Sequence, residues 1–290
     1  MQVYKKVCGL SFAMLLLIGI CFMVPLLIIF TNSLMSEQEI ARHYHTALSV
    51  FDIADGIERR FITFRLIPRS ITFSQYQAVL INQPLFLMLM LNSIRITVPV
   101  VIGNTFISLL ASYGFTIWKW RYKEVLFFIY IVVMLMPLQG VLVPNFIVAD
   151  WLGISQSHWA IIWPGVFAPF GTFLLRQGMK SIPDECFEAA RIDGAGELRL
   201  FMFIIAPQMK AGIAALTMLV FVDYWNVVEQ AVIFIRDSNM EPLSVFLSRM
   251  ASGRIGLIFS ASVVYMIFPV LGLLYGQDYL EKGIELSGIK

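Results

Sequence analysis

Residues 181–197 read Ser181-Ile182-Pro183-Asp184-Glu185-Cys186-Phe187-Glu188-Ala189-Ala190-Arg191-Ile192-Asp193-Gly194-Ala195-Gly196-Glu197, a polar stretch between long apolar blocks. Ser181 is placed to cap a helix, with Pro183 in the first turn and Asp184 three residues on. Asp184, Glu185 and Glu188 suit the positive end of that helix. Gly194 and Gly196 permit the backbone with φ > 0 that ends it. A second helix is expected next, with Leu198, Phe201, Met202 and Ile205 on one apolar face and Pro207 closing it. The Ala189-Ala190 pair removes bulk, so a partner's backbone can come close. Such a bent element suits a groove on another protein, or else forms a plain loop at a membrane surface.

Outward from this loop the chain is apolar on both sides. Of its 290 residues 59% are hydrophobic and 14% charged, where a soluble domain carries about 25% charged. Six blocks, at roughly 9–31, 86–117, 125–148, 158–178, 210–235 and 256–276, are long enough to cross a bilayer's hydrocarbon core. The pattern excludes a cytosolic enzyme and a secreted domain. It predicts an all-α, polytopic membrane protein with residues 1–290 as one transmembrane domain. A net charge of +2 gives no basic field for nucleic acid. The first block follows Lys5 and Lys6 but is too long for a signal peptide. No small-x-small site follows it in Phe30-Thr31-Asn32-Ser33, so it reads as an uncleaved span.

Lys and Arg placement orients the spans. With the N-terminus inside, segments 1–8, 118–124, 176–210 and 277–290 hold 12 basic residues in 64 positions. The outer segments 32–85, 149–157 and 236–255 hold 8 in 83. That bias puts both termini in the cytoplasm, 32–85 in an outer loop, and 179–207 in a cytoplasmic one. Within the outer loop, residues 61–68 have an extended pattern.

The spans differ in character. The second carries Asn92, Arg95 and Asn104 with Pro99 and Gly103. The third contains Met136-Pro137-Leu138-Gln139 and Pro144-Asn145, and the fourth Pro164, Gly165, Pro169 and Gly171. Proline frees backbone carbonyls that need another partner, so such helices either line a cavity or kink within a packed bundle. The fifth places Asp223, Tyr224, Trp225, Asn226, Glu229 and Gln230 in an apolar helix. An acid there costs roughly 2.5–3.5 kcal/mol on the insertion scale and seldom faces lipid. On a continuous helix Asp223, Asn226 and Gln230 share one face, with Tyr224 and Trp225 beside it. Flat aromatic faces suit sugar C–H groups, and amides and carboxylates suit hydroxyls. Two readings stay open: a substrate pathway, or a polar contact between subunits.

Cys8, Cys21 and Cys186 are too few and scattered for a disulfide framework or metal cage. His43 and His45 read as loop histidines, so no metal site is expected. The chain has neither G-x4-G-K-[ST] nor H-E-x-x-H, so it cradles no ATP phosphates and is no zinc protease. No chemistry of its own is expected.

Glu188-Ala189-Ala190-x3-Gly194-x9-Ile204-x-Ala206-Pro207 resembles the EAA loop of binding-protein-dependent ABC importer permeases, departing only at Ala206, where leucine is usual. The string from Glu188 to Ala195 is typical of the carbohydrate branch. The likeness extends over Pro25–Leu34, Tyr76 to Asn92-Ser93, Ala111–Phe115, Pro137 and Pro144, Leu152-Gly153, Phe173–Gln177 and Trp225-Asn226. It weakens at Glu285-Leu286-Ser287. Length and span number are similar to the smaller membrane subunit of maltose-type importers.

The resemblance implies an ABC type I importer permease fold and translocation of a sugar or oligosaccharide. It implies a second permease, a cytoplasmic ATPase dimer that binds ATP and magnesium, and an extracytoplasmic sugar-binding protein. This chain itself would bind no cofactor. Asp184, Glu188, Ala189, Ala190, Asp193 and Gly194 would form the ATPase-coupling element, with Glu188 the anchor and Gly194 the elbow. Location in a bacterial cytoplasmic membrane follows. Alternatives are an importer permease for a non-sugar solute, or a secondary transporter with Asp223 or Glu229 as its proton site.

Overall fold

The computed structural model describes residues 2–40, 67–249 and 255–286. Among the described residues all regular structure is helical, as a bilayer demands of a chain that must satisfy its own backbone hydrogen bonds. The helices are α1 (Gln2–Ser33), α2 (Ser74–Leu80), α3 (Pro84–Thr116), α4 (Lys123–Met134), α5 (Leu138–Trp151), α6 (Trp159–Val166) and α7 (Phe170–Met179). They continue as α8 (Asp184–Ile192), α9 (Glu197–Gln208), α10 (Lys210–Trp225), α11 (Glu229–Phe234), α12 (Leu243–Arg249) and α13 (Ile255–Leu286). The His43/His45 pair and the extended pattern over residues 61–66 lie outside the described residues.

Two compact units divide the chain, Met1–Leu87 with Leu247–Ile267, and Met88–Phe246 with Phe268–Lys290. In the first, Met35 and Ile40 pack with Ile255 and Phe259. The Ser33 hydroxyl lies 2.6 Å from that of Tyr76, and the Arg69 N–H donates to Glu39 at 2.9 Å. Along Met14–Ser33 the apolar side chains are largely uncovered, as expected of a helix facing lipid or another chain.

Four segments are long and apolar enough to cross a membrane: Met14–Ser33, Pro84–Thr116, Trp159–Met179, which is interrupted at residues 167–169 between α6 and α7, and Ile255–Tyr279. They coincide with the first, second, fourth and sixth predicted spans. The third is a bent pair, with α4 and α5 meeting at 102° across Leu135-Met136-Pro137. Pro137, extended at φ −63° and ψ 143°, starts α5 and cannot continue α4 because it lacks an N–H. Before the fifth, α9 turns 74° into α10, and α10 stops at Trp225, short of the predicted 235.

The second unit shows how prolines are accommodated within it. Pro169 lacks the N–H that would bond the Gly165 carbonyl four residues earlier. The Asn104 carboxamide supplies a donor instead, at 2.9 Å from Gly165 O and 3.2 Å from Ala168 O. Close backbone approach matters here too. A Cβ on Gly171 would stand 2.3 Å from Ser108 Oγ, and one on Gly165 2.7 Å from the Tyr224 ring. Asn92 Nδ2 donates to Asn239 O at 2.8 Å and Glu241 O at 3.1 Å, tying down the segment after α11. Arg176, almost fully buried, pairs with Glu124 at 2.6 Å and lies 3.7 Å over the Phe127 ring.

Candidate functional site

Two places concentrate the polar residues singled out in the sequence. The first is the loop from Ser181 to Gln208. Helix α8 begins at Asp184 with Pro183 as its N-cap and no side-chain cap. Ser181 does not cap it. Its hydroxyl donates to Gly178 O at 2.7 Å and closes the preceding helix, because Pro183 occupies the N-cap and leaves the serine two residues upstream of it. The C-terminus of α8 carries a Schellman arrangement. Gly194 has φ +81°, its N–H reaches Arg191 O at 3.1 Å, and the Ala195 N–H reaches Ala190 O at 2.9 Å. Nothing lies within 4 Å of a Cβ built at Gly194, so backbone conformation alone calls for glycine there. Gly196 has an ordinary φ of −71°.

Phe187 and Ala190 are buried in the chain's own core. Asp184, Glu185, Glu188, Ala189 and Asp193 are exposed. The alanine pair is therefore split: Ala190 seats the helix on its own molecule, and only Ala189 faces outward. The expected apolar face of the second helix is split as well. Phe201 and Ile205 are buried, but Leu198 is 76% and Met202 55% exposed. The buried side is formed instead by Leu200, Phe201, Ile205 and Met209, offset from the expected face, and a π-helical turn spans Phe201–Ile205.

A brace that sequence reading missed holds the elbow. The Tyr113 hydroxyl, on α3, donates to the Glu197 carboxylate, and Arg191 Nη2 reaches the other oxygen at 3.1 Å. Tyr113 also stands edge-on to Phe201, with centroids 5.5 Å apart. The Tyr113 hydrogen bond, with Arg191 behind it, holds the Glu197 carboxyl below its ordinary pKa. Sequence separation hid this contact, because Tyr113 lies 84 positions before Glu197.

The second place is a cavity of about 690 Å³. Its walls come from the breaks in the third, fourth and fifth spans: Met134, Met136 and Leu138; Pro164, Phe167 and Pro169; and Asp223, Tyr224, Asn226, Glu229 and Gln230. Asn145, after Pro144, joins them. Gln139 Nε2 donates to Glu229 at 3.1 Å.

The continuous polar face expected for the fifth span does not form. Asn226 Nδ2 bonds back to Val222 O at 2.8 Å and its backbone leaves the helix at φ −93°, ψ 15°. Gln230 then sits on α11, a separate short helix. The break nevertheless brings Asp223, Tyr224, Asn226 and Gln230 to one cavity. Trp225 is not among the lining residues. It is 1% exposed and packs between Phe221 and Phe268, at centroid distances of 5.5 and 5.0 Å. Its neighbour's aromatic ring, not its own, faces the cavity.

Among the described residues no group of three His, Cys, Asp or Glu side chains is arranged to hold a metal.

A helical membrane chain whose broken spans converge on a polar cavity, with a braced helical elbow at one end, has the build of a transport permease. Residues 9–285 match the family described as binding-protein-dependent transport system inner membrane component, and the chain belongs to that family. It is 24% identical over 226 residues to the arabinooligosaccharides transport system permease protein AraQ of Bacillus subtilis, covering 77% of this chain and 80% of the relative. It is 27% identical over 267 residues to the polygalacturonan/rhamnogalacturonan transport system permease protein YtcP of Bacillus subtilis, covering 84% and 90%. To the sn-glycerol-3-phosphate transport system permease protein UgpE of Yersinia pestis it is 26% identical over 208 residues, covering 70% and 74%. In fold it is similar to a chain of a bacterial ABC transporter involved in the import of the acidic polysaccharide alginate, with a TM-score of 0.76 and 24% identity over 94% of this chain and 96% of that one. A second chain, from the alginate transporter in complex with a pentasaccharide-bound periplasmic protein, gives a TM-score of 0.60 at 15% identity, covering 93% of each.

Proposed function

We propose that this chain is the membrane-spanning permease subunit of an ABC importer that carries a sugar or oligosaccharide inward. The observation that carries the reading is the convergence of three broken spans on one polar cavity in a chain of the binding-protein-dependent family. Asp223, Tyr224, Asn226, Glu229 and Gln230 contribute to the path, and Trp225 holds their helix in place from behind. Residues 1–290 act as one permease domain in a bacterial cytoplasmic membrane, with both termini cytoplasmic.

The exposed side of α8 is the coupling surface. Asp184, Glu188, Ala189 and Asp193 face a separate ATPase dimer, while Ala190 and Gly194 set the helix's seat and its bend. The ATPase holds ATP and magnesium, and this chain binds no cofactor. A second permease completes the pathway, and an extracytoplasmic sugar-binding protein delivers the cargo. Closure of the ATPase dimer moves the docked helices and switches the spans between two states, so both sites bias one element.

The names of the sugar permeases AraQ and YtcP favour a saccharide, whereas UgpE favours the alternative of a phosphorylated polyol. A secondary transporter fits poorly with a family defined by its binding protein. The test is uptake of a saccharide panel into proteoliposomes holding the assembled complex. Saccharide uptake that requires ATP, the ATPase and the binding protein is the expected result. Uptake that persists without the ATPase, or that is confined to a non-sugar solute, overturns the reading.

A further inference from the structure

We infer that this chain's part of the pathway is built for an uncharged saccharide and against polyanionic ones. The inference deepens the proposed function and rests on its reading of the cavity as the path.

Two carboxylates, Asp223 and Glu229, line the cavity, and its lining contains no Lys, Arg or His. Asp223 has no hydrogen-bond or ion-pair partner among the described residues, and nothing nearby neutralises it. Glu229 has one oxygen engaged by Gln139, a neutral amide that leaves its charge in place. A uronate, sulfate or phosphate ester entering here meets like charge in a space walled largely by apolar atoms such as Met134, Pro164 and Phe167. Like charges a few ångströms apart repel, and the wall holds no cation to relieve that repulsion. Arg and Lys give an anionic sugar its strongest, charge-assisted hydrogen bonds, and this wall supplies neither.

The remaining polar side chains of the wall, Asn145, Tyr224, Asn226 and Gln230, are uncharged amides and a hydroxyl, groups that both donate to and accept from sugar hydroxyls. Gln230, a lining residue, has a buried amide oxygen with no partner. Asp223 and the Asn145 carboxamide oxygen offer further acceptors. A hydroxyl-rich neutral ligand fits this set, and an acidic one does not. Among the relatives' cargoes this favours the neutral kind named for AraQ over the acidic kinds named for YtcP and for the alginate transporter.

The experiment is equilibrium binding to the purified, assembled complex without its binding protein. Neutral xylo-oligosaccharides and galacturonate oligosaccharides of equal length serve as probes, against wild type and the Asp223→Asn/Glu229→Gln double variant. Wild type is expected to bind the neutral series at least tenfold more tightly. The double variant is expected to narrow that ratio to about threefold or less by improving galacturonate binding. A wild-type ratio near one or favouring galacturonate overturns the inference, as does a ratio that the double variant leaves unchanged. ATP-driven uptake with no binding of either probe to the wild-type complex sinks the inference while leaving the importer reading standing. Absence of ATP-driven uptake of any saccharide sinks the reading beneath it.

Discussion

The carboxamide of Asn104 gives the carbonyl of Gly165 the hydrogen bond that Pro169, four residues on, cannot. The same amide reaches Ala168 O, so one side chain from the second span stabilises the opening in the fourth. That opening forms part of the cavity wall.

Replacing Asn104 with leucine removes this side-chain donor and leaves Gly165 O with only the Ala168 N–H, at 3.2 Å. A lost hydrogen bond of this kind costs about 0.5–1.5 kcal/mol, and the packing around the new side chain adds to it. The thermal inactivation midpoint of the assembled complex is expected to fall by several degrees. An unchanged midpoint contradicts the capping role.

Gly165→Ala tests the contact between the fourth and fifth spans. The new methyl stands 2.7 Å from the Tyr224 ring, and overpacking of this sort costs typically 1–3 kcal/mol. Because Tyr224 lines the cavity, transport is expected to fall by about tenfold or more. Adding Tyr224→Leu removes the clash and restores stability. A double variant no more stable than Gly165→Ala argues that the glycine is needed for another reason.

Gly194→Leu and Gly194→Asn separate backbone conformation from bulk. At φ +81° an ordinary side chain costs about 1–2 kcal/mol, whereas asparagine tolerates the region. The leucine variant is expected to lose ATPase co-purification and uptake, with the asparagine variant close to wild type. Equal loss in both means that side-chain space at the elbow, not its bend, is what matters.

Glu197 carries a pH prediction. Its folded pKa is depressed by Tyr113 and Arg191, so its contribution is present above the ordinary carboxylate value of about 4.3. That contribution is lost as pH falls through the still lower folded value. Between pH 5 and 8 the stability gap between wild type and Glu197→Gln is therefore expected to stay constant, closing only at more acid pH. A gap that changes across pH 6–7 points to another titrating group.

Much of this architecture was legible from residue spacing. Four of the apolar blocks overlap helices long and apolar enough to cross a membrane, and Glu188-Ala189-Ala190 with Gly194 pointed to the bent element. Of the prolines singled out, Pro137 and Pro169 stand at breaks, whereas Pro99, Pro144 and Pro164 lie inside helices. What periodicity could not supply was direction after a break. Trp225 was read as facing a path, yet once Asn226 ends the helix, Tyr224 lines the cavity and Trp225 is packed against Phe268. Likewise the π turn at Phe201–Ile205 leaves no mark in the apolar pattern, and the Tyr113–Glu197 brace joins residues far apart in the chain. Asn104 was visible as a polar residue in a span, but its role depended on which carbonyl Pro169 had freed.

The central claim is that a separate motor protein grips α8 from the cytoplasmic side. Cys186, exposed on that helix, reports on it directly through its rate of reaction with a membrane-impermeant maleimide. The account predicts rapid labelling from the cytoplasmic face in membranes lacking the ATPase, and strong protection once the full complex is assembled. Labelling from the outer face, or at the same rate with and without the ATPase, would contradict it.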